Sequence, residues 1–158
     1  MAARAWKAGP HEAEIVARLL VAFRDHLGYA WPSENAFLAG VERLIDDRDT
    51  EFLLAAADDD APPSGVVQLR FRMGIWRAGR DCLMEDVFVT DDARGKGVAR
   101  ALMDLATARA LERGCRRMEL DVNEANAPAL ALYASYGFTA GEPRDLYMRR
   151  HLDAGPEA

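Results

Sequence analysis

The chain has 158 residues, half of them hydrophobic and 29% charged, with a formal net charge of -6. That length suits one domain that buries about two thirds of its unfolded surface, and the acidic balance argues against a nucleic-acid footprint while suiting cationic small-molecule partners. No apolar run approaches the ~18 residues of a membrane span, and Met1–Lys7 lacks the apolar stretch of a signal peptide, so the expected setting is cytoplasmic, away from membranes.

Ala2–Lys7 is expected as a short first strand. After Gly9-Pro10, the run Glu12–His26 sets Ile15, Leu19, Leu20 and Phe23 on one face at helical spacing. Trp31-Pro32-Ser33 interrupts the chain, and Ser33 is placed to cap a second helix through Phe37, Val41, Leu44 and Ile45 to about Asp47. Glu51–Ala57 reads as a strand, Asp58–Ser64 as a hairpin loop and Gly65–Met73 as the paired strand, with Gly74–Arg80 turning into a third strand, Cys82–Val89. Short connections between three consecutive strands imply an antiparallel core.

Val98 to Arg113 then carries the helical period, Arg116–Val122 reads as a strand, Ala127–Tyr136 as a helix that tolerates Pro128 in its first turn, and Thr139–Leu152 as a final extended segment. Strand, helix and strand across Cys82–Val122 make a parallel crossover on the antiparallel part. The expected class is mixed α/β, a largely antiparallel sheet with helices on both faces. It would form a single domain over residues 1–152 with a flexible tail at 153–158.

The run Arg94-Gly95-Lys96-Gly97-Val98-Ala99 sits between a strand and a helix, where glycines let the backbone approach an anion and the first helical amides lack internal partners. A Walker loop is excluded, because Lys96 precedes Gly97 and Val98 stands where a hydroxyl would bind Mg²⁺. A dinucleotide fingerprint is excluded as well, since Gly95 and Gly97 are followed by Arg100 and lie past the middle of the chain. Downstream, Asn126, Ala129, Tyr133 and Gly137-Phe138 recur at the spacing N-x-x-A-x-x-x-Y-x-x-x-G-F. Taken singly, these are an N-cap, a half-buried aromatic and a helix-ending glycine.

Together the R-x-x-G-x-A run and the Asn126–Phe138 run resemble the two signatures of the Gcn5-related N-acetyltransferase (GNAT) family, over nearly the whole chain. Trp76–Arg80 leading into Leu83-Met84-Glu85-Asp86-Val87-Phe88-Val89 resembles the diamine (spermidine/spermine) acetyltransferase branch. The resemblance implies the GNAT fold, acetyl-CoA as co-substrate and transfer of its acetyl group to a primary amine of a small molecule, a polyamine, an amino acid or an aminoglycoside. Alternatives are a protein N-terminal or lysine acetyltransferase, and a non-catalytic acyl-CoA-binding domain, although Glu85 and Tyr133 favour an enzyme. Family members often form homodimers.

An aliphatic amine with a pKa near ~10.4 must lose a proton before it attacks a thioester. Glu85 is the first candidate to receive it, directly or through a water, and Asp86 is its neighbour. Successive strand residues face opposite ways, so only one faces the amine unless a bulge re-aims them. By resemblance, the main chain of Val87, Phe88 and Val89 binds the acetyl carbonyl and the pantetheine arm as an added strand would. The segment Arg94, Gly95, Lys96, Gly97, Val98 and Ala99 holds the pyrophosphate, Asn126 holds the pantetheine amides, and Tyr133 protonates the leaving sulfur.

Gln68, Arg70 and Arg72 share a strand face by alternation, and arginines facing the acceptor cleft would favour a substrate carboxylate over spermidine. Trp31, Trp76 and the acidic loop Asp46–Asp49 are further candidates to line that cleft. Cys82 and Cys115 read as reduced, structural residues. His11, His26 and His151 share no ligand spacing, so no metal is expected.

Overall fold

The computed structural model describes residues 2–153, which group into two compact units, one running to Leu120 and the other starting at Asp121. The first contains β1 (Arg4–Lys7), α1 (Ala13–His26), α2 (Glu34–Ile45), β2 (Thr50–Ala56), β3 (Pro63–Gly74), β4 (Gly79–Val89), α3 (Val98–Glu112) and β5 (Cys115–Leu120). The second contains α4 (Ala127–Ser135). Of the expected tail at 153–158, all but Asp153 lies outside the described residues. Among the described residues no helix is long and apolar enough to cross a membrane.

The five strands form one sheet in the order β1-β2-β3-β4-β5. Neighbours run antiparallel except β4 and β5, which pair parallel across the α3 crossover. This is the expected mixed sheet. Local chemistry sets the helix starts: Ser33 Oγ accepts from the Ala36 amide at 3.1 Å to open α2. At the entrance to α1, Glu12 accepts from the Gly9 amide at 3.1 Å and from Trp6 Nε1 at 3.0 Å, which ties the helix to β1.

Every residue of β2 is buried, as a strand covered on both faces must be. Phe52 and Leu54 join Val66, Phe88, Val16, Leu20 and Val41 in the core beneath α1 and α2. Leu53 and Ala55 alternate to the opposite face, where α3 lies. There, a Cβ added to Gly65 would stand 2.6 Å from Val98 Cγ1, so only glycine lets the start of α3 sit this close to β3. Glu51 projects to the same side, its carboxylate 1% exposed, and meets Arg109 of α3 in two bonds of 2.7 Å. Arg113 Nη1 adds a third contact to it at 3.3 Å.

One expectation does not hold. Thr139–Leu152 forms no strand among the described residues and instead makes a turn over residues 141–144 before running on irregularly. Gly141 at φ 78° bends the chain, and Pro143 has no amide to donate to a ladder.

Candidate functional site

The β3–β4 ladder runs in register from Gly74 opposite Gly79 to Gln68 opposite Glu85, then resumes with Val66 opposite Phe88. Between these pairs Val67 alone faces two residues, Asp86 and Val87, which is a β-bulge. Asp86 sits there at φ 60°. A short acidic side chain tolerates that left-handed conformation better than a bulky one. Simple alternation would send Glu85 and Asp86 to opposite faces, and the bulge overrides it.

The two carboxylates have different surroundings. Glu85 Oε2 pairs with Arg70 Nε at 3.2 Å. Asp86 lines a cavity of about 370 Å³ walled mainly by apolar groups, Leu20, Phe37, Val41 and Phe52 among them. Although Asp86 opens to this cavity, the surrounding protein mass desolvates it and raises its carboxyl above the ordinary range; the Glu85 charge adds to the rise and Arg70 opposes it. Gln68 is buried and lines the same cavity, as does Trp31. Trp76, by contrast, is almost wholly exposed on the β3–β4 connection.

The parallel ladder with β5 ends at Met84 opposite Leu120, while β4 continues to Val89. Glu85, Phe88 and Val89 therefore have ladder partners among the described residues on the β3 side only, and the bulge residues Asp86 and Val87 have none in either ladder. Their main chain can accept an extended ligand on the other edge. The Phe88 ring is not available for this, being buried against Phe23 with centroids 5.0 Å apart.

After β4 a short 3-10 turn, Asp91–Ala93, leads to Arg94, which pairs with Asp91 at 3.3 Å. Gly95 at φ 76° and Gly97 at φ 82° are both left-handed, and Gly97 is the N-cap of α3. With glycine in that position no side chain caps the first turn, and the helix presents its start toward solvent beside exposed Lys96. Buried Val98 anchors this turn to the sheet. Two left-handed glycines thus lead directly into the uncapped first turn of α3.

In the second unit Asn126 caps α4, its side chain accepting from the Ala129 amide at 3.2 Å. Its Nδ2 group can still donate outward. Tyr133 is buried with its ring edge-on to Phe138 at 6.1 Å, and burial raises its phenol above the ordinary value. Gly137 at φ 88° closes the helix through Phe138 N to Tyr133 O and Gly137 N to Ala134 O bonds of 3.1 and 3.0 Å.

Both cysteines are free, and burial pushes the Cys82 thiol up to about 12, so it stays protonated and inert. Among the described residues no cluster of His, Cys, Asp and Glu could hold a metal ion. The acidic loop before β2 is engaged at the surface, with Asp49 pairing Arg80 at 3.2 Å. What the sequence pattern did not single out is Gln68 as a cavity residue in its own right, since an amide followed by two arginines at alternate positions reads as part of a solvated face.

Residues 15–138 match the Acetyltransferase (GNAT) family, and the chain belongs to that family. It is 46% identical over 52 residues to the mycothiol acetyltransferase of Corynebacterium jeikeium (strain K411), covering 33% of this chain and 15% of that protein. It is 31% identical over 67 residues to the thialysine N-epsilon-acetyltransferase of Bos taurus, 42% of this chain and 39% of that one. The chain thus spans well under two thirds of either relative's length. A protein from Arthrobacter sp. FB24, solved as a candidate acetyltransferase, superposes with a TM-score of 0.83 at 28% identity, covering 94% of this chain and 95% of its own.

Proposed function

We propose that this protein is an acetyl-CoA-dependent N-acetyltransferase that acetylates a primary amine of a small molecule. The observation that carries the reading is the run of β4 past its last β5 partner, through a bulge bearing Asp86, into the glycine turn that opens α3. An open strand edge suits the amides of a pantetheine arm, and an uncapped helix start suits a pyrophosphate. Relatives named for mycothiol and for thialysine differ in acceptor, so the polyamine branch gains no preference from them.

When bound, acetyl-CoA supplies the thioester carbonyl that the uncharged amine attacks. Asp86 accepts the ammonium proton, with Glu85 holding Arg70 beside it or relaying the proton through water. Main-chain N–H groups of Val87 and Val89 donate to the carbonyl oxygen as negative charge gathers there. Arg94, Lys96 and the backbone from Gly95 to Ala99 hold the pyrophosphate, and Asn126 holds the arm. As the C–S bond breaks, the Tyr133 phenol gives its proton to sulfur, and its raised pKa keeps that proton in place at neutral pH.

Calorimetry with acetyl-CoA tests the reading. Wild-type protein is expected to bind it, and Gly97→Val to weaken binding by about tenfold or more, because a β-branched residue is strained at this φ and adds a side chain where the anion approaches. Absence of binding by the wild type at millimolar ligand would sink the proposal. Tyr133→Phe is expected to lower kcat only a few-fold, since a thiol of pKa near ~8.5 is already a fair leaving group. Its acetyl-CoA affinity is expected to stay unchanged in the same titration.

A further inference from the structure

The cavity beside α2 holds one polar demand that the described residues leave unmet. Gln68 is only 5% exposed, and its Nε2 has no hydrogen-bond partner. An orphaned buried amide of this kind is destabilising until a partner satisfies it. Rotation about the terminal torsion exchanges Nε2 with Oε1, so the amide can offer its N–H groups to a ligand in the cavity it lines.

The charges nearby narrow what that ligand is. Arg70 pairs with Glu85, and Arg72 pairs with Glu119. Among the described residues no cationic side chain lines the cavity, and Asp86 is the one charged group there. A free carboxylate would meet Asp86 with no countercharge. A polyamine would have a second ammonium desolvated against Leu20, Phe37, Val41 and Phe52. An ammonium accompanied by an uncharged oxygen acceptor and an apolar substituent answers every group on the wall.

We propose that Gln68 is a specificity-determining residue that selects primary amines carrying a neutral carbonyl oxygen and an apolar side chain, the α-amino amide being the simplest. The ammonium sits against Asp86, the carbonyl accepts from the Gln68 amide, and the apolar side chain packs on Phe37, Val41 and Phe52. This rests on the acetyltransferase reading above. The β3 arginines Arg70 and Arg72 are themselves paired with acids and do not line the cavity.

Thiol release from acetyl-CoA is measured with phenylalaninamide, with phenethylamine, which lacks the carboxamide, with phenylalanine, which carries a free carboxylate, and with spermidine. Wild-type kcat/KM is expected to favour phenylalaninamide by about tenfold or more over each of the others. Gln68→Leu is expected to level phenylalaninamide with phenethylamine without changing the KM for acetyl-CoA. Equal use of all four amines by the wild type, or a preference that persists in Gln68→Leu, overturns the proposal.

Calorimetry of phenylalaninamide on both proteins separates this inference from the reading beneath it. Gln68-dependent binding without thiol release from any amine would refute the enzyme and keep the recognition. Thiol release without Gln68-dependent binding would refute the recognition alone. A phenylalanine-initiated tetrapeptide amide names the source: turnover equal to phenylalaninamide supports the proposal with a polypeptide amino terminus as donor of the amine, and exclusion supports it with a small amide.

Discussion

Arg109→Ala is expected to destabilise the fold by about 3–5 kcal/mol, read as a fall in the urea midpoint with an unchanged slope. Its partner Glu51 stands on the fully buried strand β2, and two 2.7 Å bonds from one guanidinium satisfy both carboxylate oxygens. Removal of that guanidinium leaves a charge in the core with one contact, Arg113 at 3.3 Å. The paired change Glu51→Leu with Arg109→Leu is expected to recover most of the loss, since the penalty comes from an unmatched ion rather than from a missing attraction. A midpoint for Arg109→Ala within experimental scatter of wild type would show that Arg113 alone suffices.

Asp86→Asn is expected to lower kcat/KM by about 10²–10⁴ while leaving acetyl-CoA affinity unchanged. Asparagine accepts the left-handed backbone at φ 60° as readily as aspartate does, so the bulge survives the change. Stability supplies an independent readout. Desolvation by the surrounding protein raises the folded-state pKa of Asp86, so the native state holds this proton more tightly than the unfolded chain. Stability therefore falls as pH rises from the unfolded pKa through the raised folded value, and the charged group disfavours folding above it. At neutral pH the asparagine variant is expected to be no less stable than wild type and much less active. A variant that is both inactive and unstable would assign Asp86 a structural role.

The same group governs the acid limb of the rate profile, which is expected to lie above the ~3.9 of a free aspartate. Glu85→Gln discriminates between the two carboxylates. With Asp86 as the proton acceptor, loss of the Glu85 charge removes a cause of the raised pKa and moves the limb to lower pH. With Glu85 as acceptor, turnover would instead demand higher pH.

Features governed by neighbours in sequence were legible before the fold was seen. Ser33 and Asn126 cap helices because their side-chain oxygens reach amides three residues on. Gly95, Gly97 and Gly137 take left-handed φ where turns require it. Period-two and helical patterns located the sheet and the four helices, and the glycine turn at Gly95 and Gly97 marked the start of α3. The meeting of Glu51 with Arg109, 58 positions apart, was not legible, because nothing local distinguishes a buried acid from a solvated one at a strand start. The bulge at Asp86 could be stated only as a condition, since its cause lies in the register of a second strand. Thr139–Leu152 looked extended by composition, yet strand formation also needs a donor-bearing partner edge that composition does not reveal.

The close approach at Gly65 makes the spacing between β3 and α3 a fixed gauge, set by the absence of one methyl group. The amides proposed to grip the pyrophosphate are carried on the end of the helix that this gauge positions. A residue with no side chain, buried on β3, thereby sets the height of the proposed anion grip above the sheet, and even alanine there would act as a shim beneath it.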